Sequence, residues 1–366
     1  MDSLEDITHS LCTLEFETRR ASYYWLLEQA SLYKPVVWEY SRLSVTHNVM
    51  SKRKLAALVR ERRVRGWDDP RLLTLSGLRR RGATPGALLS FCRDVGITRA
   101  DGGEVRHELL DHHVRSDVDP LSRRCLAVLR PLKLVITNEV GETSFRGRTW
   151  PNRKAGEAGS DETYPLPLSS SVLFIERSDF RAEDCKGYFG LAPGKSVLLK
   201  YAGVFTAADT GGTTGRGFDA AAAASGDLEP EPECVYGTFA PLAEGAKPPK
   251  GVLSWVGEPS PGVRPFEFEA RLYGPLFRSE SPGSLPVPEG GDKDSWLDDV
   301  DPASEQIVAG ALGSPPLAGA APGDRFQFER LGYFVVDAEG SSGGVVVLNR
   351  TCTLRESVAT KVVRKA

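Results

Sequence analysis

No two of the six cysteines form a CxxC pair; they are scattered at positions 12, 92, 125, 185, 234 and 352. That scatter excludes the common zinc spacings and reads as reduced thiols in a cytosolic protein. Histidine is scarce too. Of five, only His112 and His113 adjoin, and adjacent residues on a helix point in different directions, so no metal site is expected. No apolar run approaches the roughly 20 residues that cross a bilayer, so no membrane partner is expected. The opening MDSLEDITHSL lacks the basic and apolar regions of a signal peptide, and it is not Arg-rich and acid-poor as a transit peptide would be. What remains is ordinary globular composition, 40% hydrophobic and 26% charged over 366 residues. That is enough for two or three domains, each with its own core.

The net charge of −3 hides an asymmetry. Residues 51–81 hold eleven Lys or Arg against Glu61, Asp68 and Asp69, a net +8, so the rest of the chain carries −11. A basic cluster on an acidic background is an electrostatic footprint for a polyanion. It is equally the composition of a solvated helix face, and composition alone leaves both readings open.

The first 125 residues carry helix signals. Thr18 is placed to cap a helix running through Tyr24 and Leu27 towards Leu32, and Ser51 precedes KRKLAALVRER with its stripe of Leu55, Leu58 and Val59. Thr74 and Gly82 bracket LSGLRRR, Thr84-Pro85 opens a helix that Gly96 ends, and helical spacing continues over 104–114 and 120–126. From there the period alternates. Segments 126–138, 171–177, 196–205, 251–257, 266–274, 325–337 and 344–354 read as strands between Gly, Pro and Asp clusters, the pattern of one or two barrels. The Gly-, Thr- and Ala-rich stretch 207–233 is expected to be a disordered loop, and a second flexible stretch is expected around 280–300. Residues 1–50 are ambiguous: VVWEYSRLSV has the composition of a buried strand but no complete α/β unit around it.

Five segments carry a resemblance. THSLCTLEF (8–16), WEYSRL (38–43), VMSKRKL (49–55), GWDDPRLLTLSGLRRRG (66–82) and FQFERLGYF (326–334) stand in the order and spacing of the glutaminyl-tRNA synthetases, class I aminoacyl-tRNA synthetases. The resemblance covers nearly the whole chain except 207–233. It implies an α+β protein: the tail of a Rossmann-like nucleotide-binding domain (1–60), an α-helical connecting subdomain (61–125) and two anticodon-binding β-barrels. The proximal barrel would comprise 126–160 and 260–366, the distal one 161–259. The implied activity is ATP-dependent joining of glutamine to its tRNA through a glutaminyl-adenylate. ATP would be a substrate accompanied by Mg2+, with no protein-bound metal, in a cytoplasmic monomer or a member of a larger synthetase assembly.

Carried over residue by residue, Met50-Ser51-Lys52 resembles the signature loop, with Lys52 stabilising charge on the phosphates. Arg42 and Leu43 resemble residues that hold adenine, Thr13 lines the ATP pocket and Cys12 the glutamine pocket. Arg124, Gln327 and Arg330 match anticodon contacts, and Lys200 matches a basic position able to serve a phosphate; splayed bases are read by such side chains at their edges. Three departures accompany the match. Val37 stands where bacterial members carry a glutamine that helps read the substrate side chain. Gly187, Phe189 and Gly190 stand where they carry polar or basic anticodon contacts. No HxGH occurs among the five histidines, which implies that half the active site precedes residue 1 and that this chain alone is inactive. A non-catalytic tRNA-binding remnant shares every residue of this reading. A glutamyl-tRNA synthetase is the third alternative, and Cys12 in SLCTLEF counts against it, because eukaryote-type glutamyl enzymes resemble LRTTEY there.

Overall fold

The computed structural model describes residues 1–99, 103–141, 145–208, 232–242, 245–285 and 295–354. Among them are five α-helices: α1 (Arg20–Gln29), α2 (Lys52–Arg60), α3 (Leu75–Arg81), α4 (Pro85–Val95) and α5 (His107–Val118). Three begin where the cap signals predict: α2 after Ser51, α3 after Thr74 and α4 after Thr84. Thr74 Oγ1 accepts from Gly77 N at 2.9 Å and Thr84 Oγ1 from Ala87 N at 3.1 Å, each satisfying one orphan donor of a first turn. Gly82 stops α3 at φ +103°, where a Cβ would lie 2.4 Å from Thr351 Oγ1, so only glycine fits. Thr18 caps nothing: a 3-10 turn, Leu14–Arg19, delays α1 to Arg20. The helix expected over 120–126 is absent as well. Pro120 falls in a 3-10 turn that ends at Leu121, and Arg123–Cys125 continues as strand into the barrel core.

Residues 9–40 form one complete α/β unit, against the expectation that none surrounds VVWEYSRLSV. Strand His9–Thr13 runs through α1 to strand Val36–Tyr40, and the two strands pair in parallel. The second strand is not buried: Val36, Trp38 and Tyr40 face solvent and only Glu39 is enclosed. Leu27, Pro35 and Glu39 are the only buried residues of the first forty.

The remaining strands build two seven-stranded sheets. In spatial order, the first holds Val252–Leu253, Ser196–Leu199, Gly203–Ala207, Cys234–Pro241, Pro131–Ile136, Val172–Glu176 and Trp255–Gly257. The second holds Arg123–Cys125, Arg325–Phe328, Gly332–Val336, Val346–Cys352, Phe266–Tyr273, Glu305–Gly313 and Ala127–Val128. In each sheet the two edge strands are consecutive pieces of one segment, parted only by Ser254 or by Leu126. One residue cannot span an open seven-stranded sheet, so each sheet curls until its edges meet and becomes barrel-like. A division at residue 160 does not follow the pairing. Pro131–Ile136 bonds to Val172–Glu176 and Cys234–Pro241, so it belongs to the sheet expected for 161–259.

The sheets share one apolar core that includes Leu132, Phe205, Trp255, Phe268, Phe326 and Phe334. A second core joins α3, α4 and α5 to Tyr333 and Cys352; a third packs Leu58 of α2 with Leu276, Phe277, Trp296 and Leu297. The stretch 280–300 is therefore not wholly flexible, because Trp296 and Leu297 are buried. Its residues 286–294, and 209–231 of the expected loop 207–233, lie outside the described residues.

Candidate functional site

Cys12 and Thr13 end the first strand, half-buried, with Cys12 in register with Glu39 on the neighbouring strand. Glu39 is 1% exposed and ion-paired to Arg20, whose hydrogen bond holds the carboxyl below its ordinary pKa. Arg42 lies in the loop beyond Tyr40 and pairs with Glu15 at 2.7 Å. The Thr13 hydroxyl and that guanidinium together lower the Glu15 pKa. Leu43 packs against the core of the helical region.

Downstream, Ser44–Val45 pairs in parallel with Glu104–Val105, and Val49 is buried beside Leu58. This fixes the chain on both sides of an exposed Met50-Ser51-Lys52. Among the described residues, no hydrogen bond or ion pair joins that triplet to Cys12, Thr13 or Arg42. Ser51 stands at the N-cap of α2 but its hydroxyl makes no capping bond, so the first N–H groups stay free. Lys52, Arg53 and Lys54 then fill the first turn with no acid among them. Positive charge at the positive end of a helix dipole is unfavourable, by roughly 0.3–1 kcal/mol per charge. Lys54 is partly relieved: its ammonium bonds Gly283 O at 3.0 Å and lies 5.0 Å from the centre of the Trp296 ring, and burial lowers its pKa. Lys52 and Arg53 have no such partner among the described residues.

Elsewhere in 51–81 the charges are largely spent inside the protein. Arg71 grips buried Asp69 through Nε (2.9 Å) and Nη2 (2.8 Å). Arg80 bonds Asp68 at 2.5 Å and Asp337 at 3.1 Å, and Arg65 pairs with Glu305. Arg60, Arg63 and Arg81 face Glu61, Asp298 and Asp111. Asp111, Asp298, Glu305 and Asp337 lie outside the segment, so the +8 overstates the field that a polyanion would meet. Lys52, Arg53, Lys54, Arg62 and Arg79 remain without an ion pair among the described residues.

In the second sheet, Arg124 and Gln327 are register partners on adjacent parallel strands, and Tyr333 is the partner of Gln327 on the other side. Gln327 is 7% exposed and its Oε1 is buried with no hydrogen-bond partner. A buried carbonyl left unbonded costs about 1–3 kcal/mol. Asp119 gathers this group, accepting from Tyr333 Oη at 2.6 Å and facing Arg124 Nη2 at 3.8 Å. Lys200 pairs with Glu329, which also accepts from Tyr201 Oη at 3.1 Å. Burial raises the Tyr201 pKa, with Glu329 pushing the same way and the charges of Arg124 and Arg148 opposing. Arg330 sits at φ +70° in the turn before Gly332 and binds Asp179 through two bonds of 2.6 Å. Left-handed backbone at a non-glycine residue is costly, and such strain collects at functional sites.

The predicted residues therefore fall into separate groups. Arg124 and Gln327 are brought together; Lys200 and Arg330 are each held by an acid, Glu329 and Asp179. Sequence reasoning passed over Asp119 and Glu329, which pair with Arg124 and Lys200, over Tyr333 and Tyr201, which donate to those two acids, and over Arg148. That exposed side chain lies on the hairpin of Phe145–Arg148 and Thr163–Leu166, one residue from Thr149, whose carbonyl takes the Arg124 amide at 3.0 Å. The basic SFRGRTW run (144–150) was the only available signal for it.

Three family models match. The catalytic domain of class I (E and Q) tRNA synthetases covers residues 1–120, and two anti-codon binding domains of the same group cover 122–218 and 252–337. Over 359 residues the chain is 48% identical to the cytoplasmic glutamine–tRNA ligase of Arabidopsis thaliana, covering 98% of this chain and 42% of that protein. A glutamine–tRNA ligase of Lupinus luteus is 48% identical over 98% of this chain and 42% of its own length, and one of Pseudomonas putida is 42% identical over 97% and 59%. The chain thus spans about 42% of the length of the plant relatives. With three models of one group matched in chain order over 1–120, 122–218 and 252–337, this chain belongs to the class I (E and Q) tRNA synthetases, on the side of the glutamine–tRNA ligases.

Proposed function

We propose that the protein to which these residues belong joins glutamine to tRNA(Gln) at the expense of ATP, through a glutaminyl-adenylate, in the cytoplasm. The observation that carries this reading is the start of α2. Three cations and uncapped N–H groups crowd the positive end of one helix, and Lys52 and Arg53 are unpaired among the described residues, whereas six of the eight arginines of 60–81 face an acid. A triphosphate would relieve that repulsion, and charge that grows on the phosphates would meet Lys52. Met50 and Ser51 would place the loop, Thr13, Arg42 and Leu43 would hold the nucleoside, and Cys12 would line the glutamine pocket. Mg2+ would arrive on the phosphates rather than on protein ligands. Residues 1–60 would supply this part of the catalytic site and 61–125 would connect it to the barrels.

The barrels would hold the anticodon. Arg124 and the unbonded Gln327 carbonyl would read a base edge, Arg148 and Lys200 would meet phosphates, and Arg330 would exchange Asp179 for RNA. The 366 residues contain no HxGH, so we expect the isolated chain, which we take to be monomeric, to bind tRNA without charging it. The test is glutamine-dependent pyrophosphate exchange by the whole protein. Lys52→Ala should lower that rate by on the order of 10²-fold and leave tRNA affinity within about twofold. Unchanged exchange would remove the signature loop from the reading.

A further inference from the structure

We propose that the mouth of the first closed sheet binds a small aliphatic ammonium ion, seated on Glu258. Pro131–Ile136, Val172–Glu176 and Trp255–Gly257 are neighbours in that sheet and end together, with Val172 opposite Val135 and Leu173 opposite Gly257. Beyond their ends lies a cavity of about 740 Å³. That is the size of a small-molecule site, and barrel mouths are a common place for one. Its rim is fixed by main-chain bonds: Ile136 N donates to Ser171 O at 2.7 Å and Glu258 N to Val172 O at 3.3 Å. Ile136, Val140, Leu168 and Pro261 give it apolar walls.

Glu258 supplies the charge. It is 9% exposed, and among the described residues no Lys, Arg or His pairs with it or lines the cavity. Ser170 Oγ donates to its Oε2 at 3.0 Å, and Gly262 N donates to the same oxygen at 3.1 Å. Oε1 takes no bond from a described residue and stays open to the cavity. An enclosed carboxylate with one free oxygen and no counter-ion is stabilised by a cation that reaches it. The Ser169 and Ser171 hydroxyls also line the cavity, make no bond to a described residue, and can accept the remaining N–H groups. Glu139, exposed on the same wall, adds a second negative charge. A divalent metal is the poorer match. Hard cations take about six or more oxygen ligands, and among the described residues no three His, Cys, Asp or Glu side chains converge. An ammonium on Glu258 with its methylene chain along the apolar walls uses both kinds of surface. This site is independent of the tRNA reading above.

The experiment is a calorimetric titration of the purified 366-residue chain with 1,4-diaminobutane at fixed ionic strength, with 1,4-butanediol as the uncharged isostere and MgCl2 as competitor. Wild type should bind a single diamine and no diol. Glu258→Gln, which keeps an oxygen for Ser170 and Gly262, should weaken binding roughly 10- to 150-fold, the range for one charge-assisted hydrogen bond. Ser169→Lys, at an exposed position that the fold tolerates, should weaken it comparably by bringing a competing cation to the cavity. Glu139→Gln should weaken it by no more than about fivefold, as loss of an exposed ion pair does. Diol bound as tightly as diamine, diamine displaced by an equal concentration of Mg2+, or wild-type affinity in a folded Glu258→Gln or Ser169→Lys chain would overturn the assignment. So would a folded wild-type chain that binds no diamine.

Discussion

At the scale of single residues, the basic segment divides into side chains that hold the fold and side chains left for a ligand. Arg71 is of the first kind. Its removal strands fully buried Asp69, whose carboxyl stays ionised because bonds to Arg71 and Arg65 outweigh its burial. Arg71→Ala should cost about 3–5 kcal/mol, the penalty for breaking a buried pair, measured as a shift in urea midpoint at constant m. Arg53 is of the second kind. Arg53→Ala should raise that midpoint slightly, through relief of about 0.3–1 kcal/mol at the positive end of α2, and reduce the slope of log affinity against log salt for tRNA by about 1. Equal behaviour of the two variants in both assays would contradict the division. Charge counting along the sequence could not make this distinction, because the acids that neutralise Arg65 and Arg80 arrive from Glu305 and Asp337, more than two hundred residues away.

At the scale of elements, local chemistry was legible wherever it was local. Thr74, Gly82, Thr84 and Gly96 mark helix ends in the sequence and in the structure, because a cap is settled within four residues. Thr74→Ala should cost about 0.5–2 kcal/mol by thermal or urea unfolding. The α1 boundary and strand Arg123–Cys125 were missed because what competes there is tertiary packing. Strands Cys234–Pro241 and Glu305–Gly313 were missed for the same reason: Gly237 and Gly310 weaken their β signal until neighbours are in place. The α/β unit of residues 9–40 buries so little apolar surface that its amides should exchange faster than those of strands Phe266–Tyr273 and Val346–Cys352. Equal protection in hydrogen exchange would contradict this.

The junction behind Met50-Ser51-Lys52 is also an element-scale feature. His107 opens α5 with its amide bonded to Thr46 Oγ1 at 3.1 Å, and its ring meets that of His47 edge-on at 5.2 Å. Burial lowers its pKa, with Glu108 and Asp111 opposing and His47 and Arg81 assisting. The unfolded chain then binds a proton more readily than the folded one. Stability should hold above the ordinary imidazole value of about 6.5 and fall as pH drops below it through the depressed folded value. Thermal midpoints between pH 7.5 and 5.5 should decline in the wild type and decline less in His107→Gln; parallel profiles would exclude His107 as the group.

At the scale of the whole molecule, sequence supplied the order of parts but not their closure. Alternation announced strands from residue 126 onward, yet that Ser254 and Leu126 each separate the two edges of a sheet emerges only from pairing across more than fifty residues. The same long-range pairing creates the candidate RNA site. Arg124 and Gln327 are two hundred and three positions apart and were linked in the sequence only by resemblance; in the fold they are register neighbours beside an unbonded buried carbonyl. The central claim is that this pair reads an anticodon. Its most direct measurement is the equilibrium affinity of the purified chain for tRNA(Gln) transcripts with native and substituted anticodons, at fixed salt, for wild type and Arg124→Ala. Wild type should prefer the native anticodon, and Arg124→Ala should lose about 1–3 kcal/mol of that preference while still binding the substituted transcripts. A wild-type chain that binds both transcripts equally, or an Arg124→Ala chain that keeps the full preference, would contradict the account.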